Sequence, residues 1–366
     1  MNDQHFYTIS QPADIASIRS ALGHLYRKAA ATDDSPVPVV RPTMLNIIVY
    51  SAEYYSLVET ESVVNDVIAQ LPARTVIVDS SLDSASGSKA EVALMCSVDD
   101  RGERRLCGDS ARLATQGLGA EVAGLVTPLL EADIPTYLWI AGKPAQCDEQ
   151  LIALSALVDY VVIDSRCYDC FNDALNGMSR YGRNTSVLDV CWASLMPWRE
   201  GIAQHFDPPG VRPLLNAITE VEVLYEPLTD GSLPIAPLLL VSWLVERMGA
   251  EIEEASRADD GLVVTGRREM SRFVLKMTGC GCGLGQGDLV AVVIRCTGAG
   301  FATSRDDANC SRVHSLGGPN TQIHRVGAPS LQEHSKLIAY ILRNPSDEVF
   351  SSSIAVAARL AAKAGL

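Results

Sequence analysis

Hydrophobic positions along this chain keep two different rhythms, and the change of rhythm divides it. From Met44 onward, short apolar runs alternate with amphipathic stretches. LNIIVYS (45–51), TVIVDSS (75–81), PTYLWIAG (135–142) and YVVIDSR (160–166) have the near-continuous apolar character of strands covered on both faces. Between them, ESVVNDVIAQL (61–71), GAEVAGLVTPLLEA (119–132) and DEQLIALSALV (148–158) repeat at helical spacing. EVALMCSVD (91–99) and RRLCGDSARLA (104–114) read as two more strands around a tight turn that carries Arg101, Arg104 and Arg105. Strand and helix alternating at this interval predict an α/β fold with a mainly parallel sheet flanked by helices.

The second half changes character. EVEVLYE (220–226) precedes a helix from Ile235 to Met248. EIEEASR, GLVVTGR, SRFVLKM, DLVAVVIRC, FATSRDD and TQIHRVG then read as consecutive strands joined by glycine-rich turns. This predicts a C-terminal α+β domain with a mostly antiparallel sheet, one face covered by closing helices near 329–343 and 346–365. The expected organisation is a leading helix (Ala13–Ala31) and proline-rich linker over 1–40, an α/β domain over 41–180, and the α+β domain over 181–366. The polar YGRNTS (181–186) marks the boundary.

Tryptophan is scarce, and two of the four occur in LDVCWASLMPWREGIAQHFD (188–207). Leu188, Cys191, Trp192, Leu195, Ile202 and Phe206 fall on one side of a helix, and Pro197 interrupts it with a kink or an end. Two readings stand: both tryptophans belong to a core, or Trp198 and Arg199 face a partner from the bend, since Trp and Arg are typical anchors of protein contacts. The kink favours Trp192 as core and Trp198 and Arg199 as partly exposed, so these three are the candidate partner-binding residues.

The 366 residues are 47% hydrophobic and carry a net charge of −14, which argues against nucleic acid as a partner. The polar N-terminus does not resemble a signal peptide, and the longest apolar run, Pro234–Val245, is too short to span a bilayer. The ten cysteines are scattered, which suits reduced thiols and a cytoplasmic location. Cys167 and Cys170 form a lone CxxC, and Cys280 and Cys282 a CxC; neither reaches a zinc pattern. His324 and His334 lie in no metal-binding frame.

MTGCGCGLGQGD (277–288) lacks the register of a dinucleotide loop and joins two strands, which predicts a flexible hairpin. TGAGFATS (297–304) fails in the same way. Asp79, Asp164 and Ser165 end predicted parallel strands, where open α/β sheets bind ligands, although an aspartate there also caps the following helix. No catalytic set, metal spacing or cofactor fingerprint emerges.

Several segments together resemble the OpcA family, the bacterial glucose-6-phosphate dehydrogenase assembly proteins. They are RPTMLNIIVY (41–50), LPARTVIV (71–78, with Ala73 where relatives carry Ser), VTPLLEADIPTYLWIAG (126–142), DYVVIDS (159–165) and the tryptophan segment, with its Asp-x-x-Trp, Pro-Trp-Arg and Ala-Gln-x-Phe-Asp. The chain departs at RRLCGDSARL (104–113), where relatives carry a Cys-Cys-Glu-Gln-like signature and this sequence has Cys107 alone. The resemblance implies a non-catalytic cytoplasmic protein that binds glucose-6-phosphate dehydrogenase and promotes its active form, supporting NADPH production in the oxidative pentose phosphate pathway. The alternative from the residues is a sugar-phosphate isomerase or lactonase using Asp79 or Asp164, or a sugar-phosphate sensor.

Overall fold

A computed structural model describes the chain apart from residues 1–4, 13, 32–38, 41–42, 52, 55–56, 80–88, 99–104, 116–118, 144–147, 182–184, 259–260, 270, 308–309, 317–324, 328–333 and 346. It divides into two compact units: Met1–Cys167 with Ser179–Leu188 and His334–Pro345, and Tyr168–Met178 with Asp189–Glu333 and Ser346–Leu366.

The first unit runs β1 (His5–Pro12), α1 (Ile15–Ala31), β2 (Val39–Val40), β3 (Leu45–Ser51), β4 (Glu53–Tyr54), α2 (Leu57–Gln70) and β5 (Ala73–Asp79). It continues through β6 (Lys89–Val98), β7 (Arg105–Ala114), α3 (Gly119–Val126), β8 (Thr136–Lys143), α4 (Glu149–Ser155) and β9 (Tyr160–Ile163). Helix α5 (Phe171–Tyr181), which belongs to the second unit as far as Met178, then leads to β10 (Ser186–Asp189). The sheet order is β1-β6-β7-β5-β3-β8-β9-β10, with β2 beside β7 and β4 beside β8.

Strands β7, β5, β3, β8 and β9 pair in parallel. The first six residues of β3, all of β5 and seven residues of β8 are buried, as the unbroken apolar runs required. In α1, Ile18, Leu22, Leu25 and Ala29 form the buried stripe, and the helix packs on β1 and β6. The leading helix is therefore part of the first unit, not a separate segment. Helix α2 lies close over β7: a Cβ on Gly108 would come within 2.2 Å of Ile68 Cγ2, so no larger residue fits without displacing the helix.

A polar lattice fastens the N-terminal ends of these strands. Asn46 is fully buried; its Nδ2 donates to the Glu131 carbonyl at 2.9 Å, and its Oδ1 accepts from Glu131 N at 2.9 Å. Arg74, beside Asp109 in the parallel register, is paired with that carboxylate through Nε and Nη2 and donates through Nη1 to the Leu129 carbonyl at 2.6 Å. The Tyr26 hydroxyl donates to Asp109 at 3.0 Å. Asn46 and Arg74 come from the segments that carried the family resemblance, and here they join α1, β3, β5, β7 and the turn before β8. Arg41 lies outside the described residues.

The second unit contains α6 (Val190–Ser194), α7 (Met196–Phe206), β11 (Ile218–Tyr225), α8 (Ile235–Arg247), β12 (Glu251–Ala258), β13 (Gly261–Arg268) and β14 (Ser271–Gly279). It goes on to β15 (Leu289–Cys296), β16 (Ala299–Asp307), β17 (Cys310–Leu316) and β18 (Arg325–Gly327); after α9 (His334–Arg343), which belongs to the first unit, α10 (Glu348–Ala364) closes the chain. The order is β12-β13-β14-β11-β15-β16-β17-β18, antiparallel in every pair except β11–β14.

Several expectations are corrected here. Helix α9 packs on α2 in the first unit, so of the two closing helices only α10 covers the antiparallel sheet, against α8 and β12. A single boundary near residue 181 does not describe a chain that crosses between units several times. The glycine loop after β14 is no hairpin, because β11 lies between β14 and β15. The loop passes over the end of β11, where the Glu226 carboxylate accepts backbone N–H groups from Cys282 at 2.8 Å and Leu284 at 3.3 Å. Gly281, Gly283 and Gly287 take left-handed φ values of 57°, 80° and 78° in making that path. Cys107 is not alone: it is disulfide-bonded to Cys96, its direct cross-strand partner on β6. The expectation of reduced thiols fails for this pair, since antiparallel pairing brings two cysteines eleven positions apart face to face.

Candidate functional site

The parallel strands occur in the order third-second-first-fourth-fifth, which is the doubly wound dinucleotide-binding order, with the crossover reversing between β3 and β8. Such folds bind their ligand outside the carboxyl ends of the strands at that point. The fold family implies NAD(P), so the residues at this edge decide whether such a cofactor fits.

A dinucleotide site needs glycines directly after the first strand, so that backbone can approach the pyrophosphate at a helix N-terminus. The link from β3 to α2 is Ala-Glu-Tyr-Tyr-Ser, and no glycine occurs between Met44 and Ser86. Instead of a cradle, Glu53 and Tyr54 form β4 and pair antiparallel with Lys143 and Gly142 at the end of β8. The backbone that would turn around phosphate is thus laid along the neighbouring strand. This edge does not fit a dinucleotide held in the way the fold usually holds one.

The second strand of the wound order, β5, ends in Asp79, where this fold commonly presents the acid that binds a ribose hydroxyl. Asp79 is 2% exposed and is engaged by Arg112 Nη2 at 2.8 Å. Arg112 also reaches Glu61 at 3.3 Å and Glu91 at 3.8 Å. Burial pushes the Glu61 carboxyl above its ordinary range, outweighing the attraction of Arg112.

At the end of β9, Asp164 accepts from Arg166 Nε at 2.8 Å and from the Arg166 backbone N–H at 3.1 Å, which closes the single turn over Ser165–Cys167. Burial opposes ionisation of Asp164 more than any other influence. The Arg166 guanidinium, its hydrogen bonds and His334 together outweigh it and hold the carboxyl below the usual carboxylate range. His334 Nδ1 lies 4.0 Å from Asp164, and its ring is tilted against Trp139 at 6.2 Å. Burial lowers the imidazole below its ordinary value despite that carboxylate. Asp79 and Asp164 are therefore held by arginines, and Ser165 is fully buried. Sequence spacing could not reveal this, because Arg112 and His334 reach the edge from distant segments.

The tryptophan segment behaves differently from its expectation. The helix stops at Leu195, and Pro197 begins a second helix, where its missing N–H costs nothing. Trp192 is 3% exposed and Trp198 6%, so the expected exposure of Trp198 is corrected: the break redirects the chain without turning this ring to solvent. The guanidinium of Arg199 lies 3.7 Å over the Trp192 ring, and its Nη2 donates to the Trp192 carbonyl at 3.3 Å. The Trp192 indole N–H donates to Asp347 at 2.5 Å, and Phe350 packs against the ring at 5.4 Å. Asp347 also caps α10, accepting from Phe350 N at 2.9 Å. Two segments far apart in the chain meet in this cluster, and nothing in the sequence pointed to Asp347.

Among the described residues no group of three or more His, Cys, Asp or Glu could hold a metal ion, and no helix is long and apolar enough to cross a membrane. His324 lies outside the described residues, as do Arg101 and Arg104. Cys167 is buried and Cys170 exposed, and the two are not joined in a disulfide.

These features define the class: a two-unit α/β protein on a doubly wound framework, with aspartates at the ligand edge engaged by arginines. Among solved structures, an oxidoreductase from Sinorhizobium meliloti shares this fold with a TM-score of 0.50 at 11% identity, covering 87% of this chain and 96% of that one. An NAD binding oxidoreductase from Klebsiella pneumoniae does so with a TM-score of 0.50 at 10% identity, covering 87% and 95%. Family models for the N-terminal and C-terminal domains of the OpcA glucose-6-phosphate dehydrogenase subunit match residues 64–181 and 185–354. The chain belongs to the OpcA family. The putative OxPP cycle protein OpcA of Synechococcus elongatus is 26% identical over 321 residues, which are 81% of this chain and 70% of that protein. Its counterpart in Nostoc punctiforme is 22% identical over 81% and 67%, and the Synechocystis protein 22% over 52% of this chain and only 40% of its own length.

Proposed function

We propose that this chain is a non-catalytic cytoplasmic partner of glucose-6-phosphate dehydrogenase that promotes the enzyme's active form within the oxidative pentose phosphate pathway. The observation that carries this reading is the β3–α2 link, which lacks glycine and pairs onto β8 where a dinucleotide enzyme of this fold cradles phosphate. The subunit-domain descriptions of the matching family models support the choice of partner. Activation of this kind requires the chain to bind the active state of the dehydrogenase more tightly than the inactive one.

Trp192, Trp198 and Arg199 serve this role by fixing α6 and α7 rather than by surface contact, since both indoles are buried. The cytoplasmic setting rests on the proposed partner and no longer on reduced cysteines.

Steady-state kinetics of the cognate dehydrogenase with and without the purified chain test the proposal. The expected result is a lower KM for glucose 6-phosphate with the chain present, and no turnover of sugar phosphates or lactones by the chain alone. Turnover by the isolated chain that Asp164→Asn abolishes would overturn it, as would kinetics unmoved by saturating chain.

A further inference from the structure

We propose that the face of the eight-stranded sheet that no described helix covers, its open face among the described residues, binds the same face of a second copy of this chain, making a two-fold dimer. Along β13, β14, β11, β15 and β16 burial alternates, and the buried residues fall on one side. That side carries Phe301, which stacks on His205 at 3.6 Å and meets Phe206 edge-on at 5.1 Å in α7. The register places Thr265, Val274, Leu224, Val293 and Ala302 on the other side, and all five are half-buried although the described helices pack on the face of Phe301.

The charges of this face choose the occupant. The chain carries −14, so two copies repel except where a surface is locally neutral. At the centre of the open face, Glu220 and Glu222 on β11 are matched by Lys276 on β14 and Arg295 on β15. Lys276 meets Glu220 at 2.9 Å, and Arg295 lies 3.5 Å from Glu220 and 3.4 Å from Glu222. These four charges cancel. Both anions occupy one strand and each neighbouring strand holds one cation, so the face complements itself. A two-fold axis running along the strands between β11 and β15 sets Glu220 of each copy opposite Arg295 of the other, since these two are register partners, as an isologous contact requires.

The extent is sufficient. Five strands at about 4.8 Å spacing and roughly seven residues at about 3.3 Å cover on the order of 550 Å². Two such faces bury about 1,100 Å², above the roughly 1,000 Å² expected of a specific interface. This inference does not depend on the proposed dehydrogenase partnership.

Sedimentation velocity of the full chain tests it. The expected particle has twice the 39.3 kDa of one chain at about 50 µM. Val293→Glu and Thr265→Glu, which add charge to the face, should each weaken dimerisation at least tenfold while leaving the circular dichroism spectrum unchanged. Acylation of Lys276 on the unaltered chain provides a reading free of folding effects, and its rate should fall as protein concentration rises. A wild-type chain that sediments at 39.3 kDa overturns the proposal. So does a dimer in which Lys276 reactivity is independent of concentration.

Discussion

Asp347 has two tasks in one cluster, and replacing it by alanine separates them. Its carboxylate accepts the Phe350 N–H that begins α10 and the indole N–H of Trp192. Loss of an N-cap costs about 1 kcal/mol, within a range of roughly 0.5–2. Trp192 is 3% exposed, so its indole N–H would be left without an acceptor at a further cost of about 1–3 kcal/mol. Asp347→Ala should therefore destabilise the chain by about 2–4 kcal/mol, measured as a shift in the urea midpoint at unchanged slope. In a Trp192→Phe background the indole donor is absent, and the same change should cost the cap and the long 3.9 Å contact with Arg199, together about 1 kcal/mol. The double-mutant cycle should thus give a coupling of about 1–3 kcal/mol. A cost of Asp347→Ala below about 0.5 kcal/mol, or equal costs in both backgrounds, would refute the shared acceptor.

Trp198→Ala should cost roughly 3–5 kcal/mol of folding stability as a buried tryptophan, and a melting temperature within a degree or two of wild type would show the ring to be exposed after all. Arg74→Met leaves the Asp109 carboxylate buried without its cation and should cost about 3–5 kcal/mol in denaturant unfolding, whereas an effect below about 1 kcal/mol would make the pair a surface contact. His334 has a folded-state value below the ordinary 6.5, so the unfolded chain binds more protons in this window and stability falls as pH drops through 6.5 towards the folded value. Asp164, depressed below 3.8, adds stability that is lost only at lower pH, so His334→Gln should flatten the melting temperature between about pH 7 and 5.5, and an unchanged slope there would count against the assignment. Mass spectrometry of the unreduced protein should find Cys96 and Cys107 in one linked peptide pair; both as free thiols would contradict the cross-strand bond.

Apolar runs marked where β3, β5, β8 and α8 lie, because strands buried on both faces and a helix buried nearly all round leave continuous hydrophobic stretches. The same reasoning passed over β17 and the short β4, whose composition is mixed. It also assigned α9 to the wrong sheet, since a helix with one apolar stripe fits any apolar partner and its 3.6-residue period does not say which. The wound order was not legible, because strand order is a property of crossovers and not of the strands themselves. Trp198 was misread for a related reason: Pro197 does break the helix, but the sequence does not say into what the next turn is directed.

The ligand edge shows most clearly how little a position in a fold says about chemistry. Asp79 and Asp164 end strands where this framework commonly places working carboxylates. Each is instead bound by a cation brought from within the unit, Arg112 from β7 and Arg166 from the turn beyond β9. An arginine cannot give up its proton at any ordinary pH, so a carboxylate bound to it stays ionised and has its lone pairs engaged. Such a group serves poorly as a general acid and can act as a base only after the arginine is displaced. Burial of both carboxylates, each 2% exposed, makes that displacement costly, because it would leave an uncompensated charge within the protein. The physical consequence is an edge that stabilises its own strand ends, on a framework whose other members use the same place for a cofactor.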